Sequence, residues 1–186
     1  GISDAAAHAM RQAGLQQVSI SIDGCEATHD LQRGKQGSWS AAFASFRRLR
    51  KVGIPVTGNT QINRLNADHL RATAAELRAH GIQVWQVQLT VPMGRAADHP
   101  EWILEPWQVV DVIDTLAAIQ REAAASYDGG IPFNVFANNN IGYFGPYESI
   151  IHGDLPVGHM SPCRAARGTL GIEANGDIKG CPSLPT

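Results

Sequence analysis

The sequence predicts an α/β fold: a parallel sheet built from βα units, followed by a small antiparallel β-hairpin. Two observations carry this. Apolar patterning alternates between strand-like and helix-like periods with connections of only a few residues. Near the end, Asn175-Gly176 stands between two short alternating runs, the strongest short-range hairpin signal.

Taken in order, residues 5–14 are alanine-rich and stop at Gly14, which reads as the tail of a helix whose start precedes Gly1. Val18-Ser19-Ile20-Ser21-Ile22-Asp23-Gly24 alternates β-branched residues with serine and ends on a turn signal, so it reads as a strand, and a loop follows it. Phe43, Phe46 and Leu49 recur at helical spacing between Ser38, a candidate cap, and Gly53, a stop. A second strand runs over 54–62. Asn66 is a candidate cap for a helix carrying Leu70, Ala74 and Leu77, and a third strand occupies 84–89. A long helix over 106–125 carries Val109, Val110, Ile113, Leu116 and Ile119 on one side, with Pro106 in its first turn. A fourth strand, 131–137, leads into Asn138-Asn139-Asn140 and a short helix near 147–151.

The 186 residues, 44% apolar and 17% charged, suffice for a packed core plus part of a second unit. A formal charge of −2 offers no excess for phosphate, and Arg47, Arg48, Arg50 and Lys51 read as a solvated helix face, so no nucleic-acid partner is expected. No apolar run is long enough to span a bilayer and no secretory signal opens the chain; no membrane partner and a cytoplasmic location are expected. Three cysteines are too few, and odd in number, for a disulfide framework.

The hairpin brings Cys163 and Cys181 to its base, with twelve residues between Cys163 and Gly176 and four more before Cys181. Two thiolates there suit a soft metal centre; zinc, a disulfide and two buried thiols are the alternatives. Cys25 reads as a lone loop cysteine. Trp85, Trp102 and Trp107 read as core or covering residues, and the asparagine triplet as a turn.

This cysteine, glycine, cysteine spacing is similar to the opening of a SPASM domain, which carries auxiliary 4Fe-4S clusters. Val18 to Gly24, His29-Asp30, Arg33-Gly34 and Val52-Gly53-Ile54-Pro55-Val56 resemble the fourth strand, following loop and fifth strand of radical S-adenosylmethionine (SAM) enzymes with that domain. Val91-Pro92-Met93-Gly94-Arg95-Ala96 resembles the segment after their sixth strand. The resemblance covers nearly the whole chain apart from residues 100–162.

It implies an incomplete TIM-like (β/α) barrel of the radical SAM type over residues 1–160 and the start of a SPASM domain over 161–186. It further implies 4Fe-4S clusters and S-adenosylmethionine as cofactors of the parent enzyme, an electron donor, and a peptide or protein substrate. Ser21 and Asp23 stand where the family's fourth strand meets the cofactor, a place where a serine and a carboxylate also suit ligand hydroxyls. Arg33 is matched to the methionine carboxylate, Asn59 to the methionine part and Leu89 to adenine; Cys163 and Cys181 are matched to an auxiliary cluster. His29 and Asp30 read as loop packing. The family's C-x3-C-x2-C loop, which holds the catalytic cluster, is absent, so this segment alone is expected to be inactive. A strand at Val18 without its native neighbour is expected to pair with another copy, giving a dimer induced by the shortened chain. A non-catalytic metal-binding module and an ordinary TIM-barrel enzyme are the competing readings.

Overall fold

The computed structural model describes residues 1–127, 129–130, 132–138, 140–142, 145–151, 165–168 and 170–181. Helix α1 (Asp4–Gln12) leads to β1 (Val18–Ser21), α2 (Glu26–Arg33), α3 (Ser38–Lys51), β2 (Val56–Ile62), α4 (Leu70–Ala79), β3 (Val84–Leu89), α5 (Gln108–Ala125), β4 (Asn134–Ala137) and α6 (Glu148–Ile151). Two short strands, β5 (Gly171–Ile172) and β6 (Ile178–Lys179), complete the described elements. The first four strands form one parallel sheet in sequence order, as successive helical crossovers require.

Parallel sheets are usually apolar on both faces. This one is not. Ile20, Gly58, Trp85 and Val135 lie in register across the four strands and face the helices, joined by Thr60, Val87 and Ala137 in the next row. Trp85 and Val87 have no exposure, and they pack with Phe43 and Phe46 of α3, Leu70 and Leu77 of α4, and Val112 and Leu116 of α5. At Gly58 a Cβ would stand 3.1 Å from Leu77, so the missing side chain lets α4 close onto β2. The opposite face carries Ser21, Asn59, Gln86 and Phe136 in one row and Gln61 and Gln88 in the next. Successive residues of a strand point to opposite faces, so the sequence V-T-G-N-T-Q-I of β2 builds an apolar and an amide-rich face at once.

Several sequence expectations are corrected. Helix α1 begins within the chain, capped by Ser3, whose hydroxyl accepts the N–H of Ala6. The loop after β1 is largely helix α2, ended by Gly34 at φ +62°. Ser38 does not cap α3; the carboxylate of Asp30 does, accepting from the N–H groups of Gly37 and Trp39 and the Ser38 hydroxyl at 2.5–2.8 Å. Strand β2 starts at Val56, after Pro55, rather than at 54. The hairpin is antiparallel as expected, but Ile172 pairs with Ile178 and Glu173 donates to Asp177, which leaves Ala174, Asn175 and Gly176 as a three-residue loop with Gly176 at φ +93°.

Candidate functional site

At the carboxyl ends of parallel strands the chain must turn outward, and polar groups collect there. Beyond β1, Asp23 is wholly buried. Its Oδ1 accepts the backbone N–H of Gln61 at 2.9 Å and its Oδ2 accepts Nε of Arg33 at 2.6 Å, with Nη2 at 2.5 Å. The helix α2 carries Arg33 back to β1 and also inserts His29, whose Nδ1 accepts the N–H of Asp23 at 3.1 Å. Nδ1 therefore carries no proton. Burial lowers the His29 pKa, with Asp23 pulling in the opposite direction, and the ring is neutral at pH 7. His29 and Asp30 thus serve different partners despite being adjacent, one bracing β1 and the other capping α3.

Amide side chains lace the rim together. Buried Asn66, expected to cap a helix, instead donates from Nδ2 to the carbonyls of Gln61 and Asp23, while its Oδ1 accepts the N–H of Asn63. Asn63 reaches Thr90 beyond β3 at 3.3 Å. Asn140 pairs with Leu89 through both its amide groups, donating to the carbonyl at 2.7 Å and accepting the N–H at 3.2 Å, as a further strand residue would. Asn138 links Gln86 and Gln88 on the amide-rich face. Asn139 lies outside the described residues.

The segment after β3 folds over this rim. Arg95 donates to the Gln32 carbonyl at 2.7 Å, and the Trp102 carbonyl accepts the N–H of Arg64 at 2.9 Å. Trp102 is buried, with His99 stacked on it at 4.1 Å. Between this segment and the ends of α2, β2 and β3 lies a cleft of about 200 Å³, lined by the polar Arg33, Arg95, Asn63 and Thr90 and by the apolar Met93 and Trp102. Its size is below the usual range for a whole drug-sized ligand, so it suits one end of a larger molecule.

Of the residues singled out from sequence, Arg33 lines this cleft and Asp23 stands behind it with both oxygens engaged. Ser21 and Asn59 share the amide-rich face, where Asn59 Oδ1 is buried without a hydrogen-bond partner. Leu89 does not join them: its side chain packs against the helix-side core and its backbone is taken by Asn140. Cys25 is exposed at the start of α2, its thiol pKa lowered chiefly by the Thr28 hydroxyl. Cys163 lies outside the described residues; Cys181 is half-buried just after β6. Gln61, Asn63, Asn66 and Thr90 were not anticipated, although the polar alternation through 59, 61 and 63 announced the first two.

No family model matches the chain. It is 34% identical over 115 residues to the AdoMet-dependent heme synthase of Methanosarcina barkeri, covering 61% of this chain and 32% of that protein. It is 32% identical over 81 residues to the sporulation killing factor maturation protein SkfB of Bacillus subtilis, covering 44% of this chain and 20% of that one. In fold it is similar to native anSMEcpe with bound AdoMet and Cp18Cys peptide, with a TM-score of 0.59 at 14% identity over 72% of this chain and 37% of that chain. The chain thus spans about a third or less of the curated relatives it matches. No helix among the described residues is long and apolar enough to cross a membrane. The chain is thus similar to a part of these relatives, and its parallel βα sheet with a polar rim and a following hairpin has the form of an incomplete barrel of the radical S-adenosylmethionine type.

Proposed function

We propose that residues 1–160 supply the cofactor-holding rim of a radical SAM enzyme and that residues 161–186 open its SPASM domain. The observation that carries this reading is Arg33, fixed by a fully buried Asp23 and facing a cleft sized for one end of a larger ligand. A guanidinium so held keeps N–H groups for the methionine carboxylate of S-adenosylmethionine. Asp23 acts through Arg33 rather than by touching the ligand. Asn59 Oδ1, an acceptor lacking a donor, fits the methionine ammonium, with Ser21 beside it in register. Leu89 would bound the adenine end through the rim it forms with Asn140. When bound together with a reduced 4Fe-4S cluster, S-adenosylmethionine supplies a 5′-deoxyadenosyl radical for hydrogen abstraction. The chain's own part is to bind, orient and keep water out.

For the hairpin, the N–H of Ala166 donates to the Gly180 carbonyl at 2.9 Å. Cys181 adjoins Gly180 and Cys163 stands three positions before Ala166 in the sequence, and the two are proposed as ligands of one auxiliary cluster. In the full-length protein, anaerobic iron and sulfide analysis of Cys163→Ala and Cys181→Ala tests this. Loss of part of the iron supports the cluster; unchanged iron, or zinc in its place, supports the structural-module reading instead.

A peptide or protein is the proposed substrate, supported by the relative named as a killing-factor maturation protein and by the peptide-bound neighbour. The relative named a heme synthase, at 34% identity, favours a tetrapyrrole as the second reading. Turnover with each class in the full-length enzyme separates the two. The segment alone is proposed to be inactive, to pair through the open edge of β1, and to come from a cytoplasmic enzyme served by an electron donor.

A further inference from the structure

We propose that Arg95 is a second guanidinium on the same carboxylate, so that Arg33 and Arg95 close on it from two sides. This rests on the assignment of Arg33 to the methionine carboxylate and deepens it. Arg95 enters the site from the segment after β3, whereas Arg33 enters from α2, so the two sit on different elements of one cleft. Arg95 is seated by the Gln32 carbonyl in the last turn of α2, where unpaired carbonyls and the helix dipole favour a cation. The seat depends on Gly34. A Cβ there would approach the Arg95 guanidinium carbon to 3.3 Å, and the residue is held at φ +62°.

Donor capacity decides what the pair can bind. A guanidinium has five N–H groups. Arg95 gives one to Gln32, and Arg33 gives its Nε and one Nη2 hydrogen to a single oxygen of Asp23. Each guanidinium therefore keeps N–H groups beyond these bonds, and both side chains line the cleft. Among the described residues that line it there is no carboxylate, and Asp23 is sealed behind Arg33. Two cations facing one small cleft repel unless an anion lies between them. Met93 and Trp102 add apolar groups to the lining of the same cleft. A carboxylate head on an aliphatic, sulfur-bearing stem meets both kinds of lining, and a phosphate-rich ligand would not use the apolar one.

The test is isothermal titration of the full-length, cluster-loaded enzyme with S-adenosylmethionine and with decarboxylated S-adenosylmethionine, which lacks only the carboxylate. Arg95→Ala should weaken the first by about tenfold and leave the second within about twofold. Arg95→Lys should fall between, since an ammonium keeps the charge and loses the fork. Equal weakening of both ligands by Arg95→Ala, or no weakening of either, overturns the clamp. A parallel Asp23→Asn, Arg33→Ala pair, which avoids stranding a buried carboxylate, separates the two assignments. If that pair discriminates between the ligands and Arg95→Ala does not, Arg33 alone holds the carboxylate. If neither discriminates, the assignment of Arg33 falls too.

Discussion

The guanidinium of Arg33 closes on a carboxylate that solvent does not reach, with Nη2 2.5 Å from Oδ2 of Asp23. The Arg33 side chain is itself 35% exposed, so the pair is anchored from within and offered outward. Removing the arginine alone leaves a buried charge uncompensated. Arg33→Ala is expected to cost about 2–3 kcal/mol in chemical denaturation, less than a fully buried pair because water screens the exposed side. Adding Asp23→Asn should recover much of that loss.

Asn66 carries the largest share of the rim's hydrogen bonds, serving Asp23, Gln61 and Asn63 at once. Asn66→Ala strands the Asp23 carbonyl and the Asn63 N–H and leaves the Gln61 carbonyl only the long bond from Gln32, and about 3 kcal/mol of stability should go with them. Hydrogen exchange should show the Asn63 amide opening first. Asn66→Asp, which keeps the acceptor and has a donor only while protonated, should be intermediate below its pKa and worse above it.

His29 predicts a pH dependence. Its folded pKa is lowered from 6.5, so the unfolded chain binds the proton more readily. Its contribution to stability is fully present above pH 6.5 and is lost as pH falls from there through the folded value. Denaturation midpoints measured downward from pH 7 should decline over that range, and His29→Gln should flatten the decline.

Asp30 adds a second, more acidic step. The N–H of Trp39 is the chief cause of its lowered pKa, with Ser38 and Gly37 contributing. The cap holds above the ordinary carboxylate value of 3.8 and is lost as pH falls through the lower folded value. Asp30→Ala should lower the melting temperature at pH 7 and leave it unchanged relative to wild type once the pH is below both values.

The sheet was legible because W-Q-V-Q-L over 85–89 alternates apolar and polar residues, and β3 spans 84–89. Helix α2 was not, since it buries only His29 and Gln32 and so carries little apolar periodicity. Ser38 and Asn66 were misjudged for one reason. Residue type names a capacity to cap, but the partner is chosen by tertiary contact, here Asp30 reaching forward to α3 and Asn66 reaching back to β1. The cleft depends on Arg95 meeting Gln32 across 63 positions, which no local pattern encodes.

The most direct measurement is 5′-deoxyadenosine formation by the full-length protein, reconstituted anaerobically with iron and sulfide and given S-adenosylmethionine and a strong reductant. The account predicts product from the wild type, sharply less from Arg33→Ala paired with Asp23→Asn at subsaturating cofactor, and none from residues 1–186 alone. A fully reconstituted wild type that binds its clusters yet forms no 5′-deoxyadenosine would contradict it.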